Sequence, residues 1–62
     1  MKVFVNYNMY DNTPVLIAAN SRREAFETSE NELLCPEYFE PGAWKEVKGL
    51  DYDTNEPCVI EL

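Results

Sequence analysis

The chain has 62 residues, with twelve acidic residues against five basic ones, no histidine and a formal net charge of −7. A chain of this length buries only about 60% of the surface its unfolded form exposes. It therefore makes one small domain, residues 1–62, and a Rossmann domain, a TIM barrel or any other large enzyme scaffold is excluded. Its hydrophobic fraction of 45% separates it from disordered chains, which combine charge with few apolar residues.

Val3, Val5, Tyr7 and Met9 alternate with Lys2, Phe4, Asn6, Asn8 and Tyr10, the period of two of a half-buried strand. Asp11-Asn12-Thr13-Pro14 supplies turn chemistry, and Val15-Leu16-Ile17-Ala18 reads as a second strand closing a hairpin over that four-residue connection. Ser21-Arg22-Arg23-Glu24 matches a capping box. The helix it opens carries a narrow stripe of Ala25, Phe26, Ser29 and Leu33 and ends before Cys35, because Pro36 disfavours helical geometry there. Pro36–Glu40 suits one helical turn before Pro41-Gly42 breaks it. Trp44–Leu50 reads as a third strand whose apolar points, Trp44, Val47 and Leu50, are spaced by three, a pattern that predicts a bulge or a twisted edge. Residues 51–57 read as a loop and Cys58–Leu62 as a last strand. The expected fold is α+β, a small antiparallel sheet of about four strands with one helix on one face, in the order β-β-α-β-β.

No apolar run reaches the length of a membrane span, and Met1–Val5 does not have the form of a secretory signal, so the sequence is read as cytoplasmic. Cys35 and Cys58 lack CxxC spacing and read as reduced thiols; with no histidine, neither a zinc site nor an activated nucleophile is expected. Asp51-x-Asp53-x-Asn55 opens like a calcium loop but fails where Glu56 and Leu62 replace the turn glycine and the bidentate glutamate. Gly42 and Gly49 form no phosphate-binding loop, and Arg22-Arg23 at a helix start reads as a solvated pair rather than a phosphate site. No cofactor, metal or catalytic group is expected, and the chain is read as a non-enzyme.

The charge is uneven. Lys2, Arg22 and Arg23 against Asp11, Glu24, Glu27 and Glu30 leave residues 1–31 at −1. Lys45 and Lys48 against Glu32, Glu37, Glu40, Glu46, Asp51, Asp53, Glu56 and Glu61 leave residues 32–62 at −6. Such a surface disfavours direct contact with nucleic acid or anionic membrane and attracts basic protein surfaces, of which nucleic-acid-binding proteins are the richest source. Asp51 and Asp53, two apart in an extended chain, would stand roughly 6–7 Å apart, about the spacing of neighbouring phosphates. Glu37, Glu40, Asp51, Asp53 and Glu56 are the expected phosphate stand-ins, with Tyr38, Trp44 and Tyr52 as aromatic anchors. The alternative is that acidity serves solubility alone and that Trp44 and Phe39 fill the core.

The run Lys2–Val5, Val15–Ala18 and Ser21-Arg22-Arg23-Glu24-Ala25-Phe26-Glu27 resembles the hairpin followed by an S-x-x-E-A helix of small bacterial and phage proteins. With its size, acidity and lack of catalytic groups, the chain resembles phage-encoded anti-defence proteins, anti-CRISPR inhibitors and other DNA mimics. That resemblance implies an inhibitor or modulator of a host nucleic-acid-processing or immune protein, acting in the host cytoplasm. A homodimer is a further expectation, with Phe4, Tyr10 and Leu16 on a second sheet face that a second copy would cover.

Overall fold

The computed structural model describes residues 1–61, so Leu62, the expected last residue of the fourth strand, lies outside the described residues. Strands β1 (Lys2–Tyr7), β2 (Pro14–Ala19), β3 (Lys45–Asp51) and β4 (Cys58–Ile60) form one antiparallel sheet in the order β3-β1-β2-β4, and α1 (Arg22–Glu32) lies on one face. The α+β architecture expected of the sequence is the one observed.

The β1–β2 connection is longer than the four residues expected, and it removes Met9 and Tyr10 from the strand. The Asn8 side-chain oxygen accepts from the N–H groups of Tyr10 (2.8 Å) and Asp11 (3.3 Å), and Asn12 takes a left-handed φ of 62°. Asn is among the few side chains that tolerate both roles. Pro14 opens β2 opposite Tyr7, a first-strand position where its missing N–H is tolerated.

At the start of α1 the Ser21 Oγ accepts from the Glu24 N–H at 3.2 Å, half of the expected capping box. The Glu24 carboxylate instead accepts from Asn20 N–H at 2.7 Å, one residue upstream of the cap. Ala25 and Ser29 are buried as the stripe requires, and Thr28 joins them. Both hydroxyls can be buried because they donate to helix carbonyls, Thr28 to Glu24 (2.8 Å) and Ser29 to Phe26 (2.6 Å). Leu33 is extended and ends the helix ahead of Cys35-Pro36.

Two short 3₁₀ turns follow, Pro36–Tyr38 and Pro41–Ala43, each with proline at its first position, where the missing N–H has no partner to lose. They return Phe39 and Trp44 to the helix side, where the rings stack with centroids 6.0 Å apart. These two join Phe4, Ile17, Ala19 and Ala25 in the core, and Val15, Phe26, Leu33 and Val59 surround it. β3 therefore begins one residue later than expected and ends one later, taking in Asp51. The irregularity predicted from the three-residue spacing appears as a register shift between Lys2 and Phe4, with Gly49 at a φ of +83°. That angle suits glycine because a Cβ is disfavoured there.

Cross-strand partners share a face, so Phe4, Ile17 and Val59 lie in a row on the helix side. Val5, Leu16 and Ile60 form the adjacent row on the opposite side. The second face expected to carry Phe4, Tyr10 and Leu16 thus holds only Leu16. Phe4 is in the core, and Tyr10 sits in the turn.

Candidate functional site

Of the eight residues expected to contact a partner, seven fall into two groups at opposite ends of the sheet and the eighth, Trp44, is in the core. Tyr52, Asp53 and Glu56 lie in the connection that passes the ends of β1 and β2 between the two edge strands, beside Asp51 at the end of β3. Glu37, Tyr38 and Glu40 lie at the other end, beside the turn at residues 8–13. From Lys2 to Tyr7 the two ends are about 17 Å apart along β1. One contiguous row of phosphate stand-ins is not formed.

Two of the eight change role. Trp44 is 1% exposed and belongs to the core, so it is not offered to a partner. Its burial follows from Pro41–Ala43, which turns the chain just before β3 begins, so that the ring stacks on Phe39 in the core. Asp51 is a strand residue opposite Lys2, and its carboxylate pairs with the Met1 ammonium, which also donates to the Tyr52 carbonyl at 2.9 Å. The hydrogen bond from that ammonium, and then its charge, hold the Asp51 carboxyl below the usual carboxylate range. An acid already paired in this way is a poor phosphate stand-in, and its place in β3 also removes the opening position of the calcium-like loop.

The other end is better assembled. Asn6, buried on the helix side, donates from Nδ2 to the Glu40 carbonyl at 2.9 Å, and Met9 N–H donates to the Tyr38 carbonyl at 2.9 Å. These bonds fix the Pro36–Ala43 segment to the hairpin turn. The Tyr10 and Tyr38 rings then meet edge to face, 5.1 Å apart at 77°, an arrangement favoured by the ring quadrupoles. Tyr38 ionises above the usual phenol range, first because of the charge of the neighbouring Cys35 and its hydrogen bond, and further because of Glu37 and Tyr10. It therefore keeps its O–H at neutral pH. Asp11 is held below its usual range by hydrogen bonds from Thr13.

A shallow groove runs beside this pair, with Glu32, Leu34, Cys35, Tyr38 and Glu61 on its walls. Leu34 is fully exposed, and Met9 and Tyr10 are 57% and 79% exposed. Five carboxylates, Asp11, Glu32, Glu37, Glu40 and Glu61, thus share one end of the molecule with four large exposed side chains. The cations Lys2, Arg22 and Arg23 lie at the opposite end, because α1 starts beside the end of β2 and runs back along the sheet. Cys35 belongs to this groove and Cys58 to the start of β4; both are free thiols.

Met9, Asp11, Leu34 and Glu61 are not among the contact residues expected from the sequence, and Tyr10 was expected on a sheet face rather than here. One signal was available: the last turn of α1 contains no basic residue and ends in Glu32. Acids are unfavourable at a helix C-terminus, where the backbone already presents partial negative charge. Among the described residues, no group of three or more His, Cys, Asp or Glu is placed to hold a metal ion, and no helix is long and apolar enough to cross a membrane. No family model, curated protein or solved structure matches the chain.

Proposed function

We propose that the chain is a non-enzymatic binding protein that engages a basic, nucleic-acid-binding surface of a protein partner through its acid-and-aromatic end. The partner class is a host nucleic-acid-processing or anti-phage defence protein, inhibited by occlusion of the surface that would hold phosphate. One observation carries this reading: Asp11, Glu32, Glu37, Glu40 and Glu61 lie at the same end of the molecule as exposed Met9, Tyr10, Leu34 and Tyr38, with three of the five basic side chains at the far end. Carboxylates supply long-range steering toward a basic patch, and aromatic or aliphatic anchors supply the short-range contact area. The acidic last turn of α1 fits the same reading, since functional surfaces are where sequences depart from their locally most stable choice.

The test is affinity capture from bacterial lysate at low and high salt, with duplex DNA as competitor. It compares the native chain with Glu32→Gln/Glu37→Gln/Glu40→Gln and with Asp53→Asn/Glu56→Gln at the opposite end. The expected result is a nucleic-acid-binding protein that is released by DNA and by salt and is lost with the triple variant alone. Equal capture by all three chains, or loss only with Asp53→Asn/Glu56→Gln, would overturn the assignment of the surface.

A further inference from the structure

We infer that the groove between the C-terminal end of α1 and β4 is a socket for one arginine side chain of the protein partner. This rests on the proposed use of the acidic end and names what that end grips. The groove is shallow, with a volume of about 380 Å³. That is near the bottom of the roughly 300–1,000 Å³ range of ligand pockets, a size for a single side chain. Val59 and, two residues on, Glu61 lie on the helix side of β4, and Glu32 at the end of α1 lines the same groove. Leu34 and Tyr38 add apolar surface beside the two acids.

The occupant follows from charge complementarity. Neither Glu32 nor Glu61 pairs with a cation, since the ion pairs among the described residues are Met1–Asp51 and Arg23–Glu27. The helix end adds acceptors of its own. Among the described residues no donor reaches the carbonyls of Glu30, Asn31 or Glu32, because the chain turns extended at Leu33 and Pro36 has no N–H to return. Those carbonyls carry the negative end of the helix dipole, and a basic side chain is what caps them. The groove has none on its own walls.

The apolar part of the wall then chooses among cations. Arginine is planar and weakly hydrated, and its fork of N–H donors can meet carboxylate and carbonyl together while lying against the Tyr38 ring. That ring is already braced edge to face by Tyr10, so stacking on it costs little further ordering. The methylene stem covers Val59 and the fully exposed Leu34. A lysine ammonium is a compact, strongly hydrated charge and gains less from such a wall. Arginines that hold phosphate make the same kinds of contact, so the groove takes one at the expense of nucleic acid.

The experiment is an NMR titration of the whole chain at low salt with acetyl-arginine amide, its lysine counterpart and its uncharged citrulline counterpart, each to about 50 mM. Expected are saturable shifts centred on Leu34, Cys35, Tyr38, Val59 and Glu61, with a dissociation constant of about 1–10 mM for arginine. The lysine compound should bind about threefold or more weakly, and citrulline should give no saturable shift. Glu32→Gln/Glu61→Gln keeps side-chain shape at two exposed positions, so folding is not at stake. It should weaken arginine binding about 2- to 30-fold, the loss of a pair of exposed ionic contacts. Asp53→Asn/Glu56→Gln removes the same charge at the far end and should leave binding unchanged. No saturable shift with arginine, equal binding of lysine or citrulline, shifts centred elsewhere, or equal binding by the two double variants would overturn the inference. The titration needs no partner. Capture from lysate that persists without arginine shifts would sink the socket alone, and arginine shifts without DNA-competed capture would sink the proposed partner while the groove keeps its preference.

Discussion

Replacing Glu32 by Lys should make the protein more stable while weakening the surface proposed to bind. Glu32 is the last residue of α1, and the carbonyls of that turn are left to the chain end, with only Leu33 N–H closing back onto Ser29. A charge of the wrong sign at such a terminus costs about 0.3–1 kcal/mol at low ionic strength, and a charge of the right sign contributes a similar amount. Reversal removes the first and adds the second, so the expected gain is about 0.6–2 kcal/mol. Glu61, which lines the same groove, adds a repulsion that the substitution also relieves. At about 4–8 °C per kcal/mol for a domain of this size, the melting temperature should rise by at least about 2 °C. The assay is urea and thermal unfolding at low salt, followed by far-UV circular dichroism, with Glu56→Lys as the control. That variant changes net charge equally but lies at the other end of the sheet, away from the helix C-terminus. The difference should shrink near about 1 M salt, where the screening length is about 3 Å. If Glu32→Lys stabilises no more than Glu56→Lys, or destabilises, then the acidic helix end is not held against a local preference and its support for a binding role is lost.

Asn6→Ala should cost about 0.5–1.5 kcal/mol, because it removes the bond that ties the Glu40 carbonyl to β1 and leaves that carbonyl only the local Ala43 N–H; limited proteolysis should then cut first within residues 36–43, and an unchanged cleavage pattern would contradict that anchoring role. Trp44→Ala should remove about 3–5 kcal/mol, enough to unfold most of so small a domain. Trp44→Phe should cost much less than Trp44→Ala, since it retains a ring against Phe39 and also deletes the buried Trp44 Nε1–H, which has no hydrogen-bond partner among the described residues; urea midpoints decide between these. Asp11 and Asp51 both have lowered folded-state pKa values, so each contributes stability that is present above the ordinary Asp value and is lost as pH falls through the folded value. Unfolding midpoints should therefore drop below about pH 4, and Asp51→Asn should show a shallower drop than the native chain.

The fold was legible because its signals are local. Alternation in residues 2–7, a capping serine, and prolines at 36 and 41 each constrain the backbone within a few residues, and the structure places the elements nearly where those constraints put them. The errors came where one side chain redirected the chain. Asn8 captures two backbone N–H groups and converts the end of an apparent strand into a turn, which moves Tyr10 from a sheet face to a surface pair with Tyr38. Period-two patterning could not tell which face of β1 would be covered, since Phe4 and Val5 are both apolar and only the placement of α1 decides between them. Trp44 read as a strand residue and either as a surface anchor or, with Phe39, as core; the 3₁₀ turn before it decides for the core.

The candidate site was less legible because charge counted along the chain does not measure charge in space. Residues 32–62 carry most of the excess, yet the sheet order β3-β1-β2-β4 sends Asp53 and Glu56 to one end and Glu37 and Glu40 to the other. Asp11, from the nearly neutral half, joins the second group through the hairpin turn. An end built in this way attracts cations at a distance, before any contact is made. Screening should therefore weaken capture of a basic partner there, and a salt titration of that capture should follow the shrinking screening length; capture that salt leaves unchanged would mean that contact rather than charge decides it.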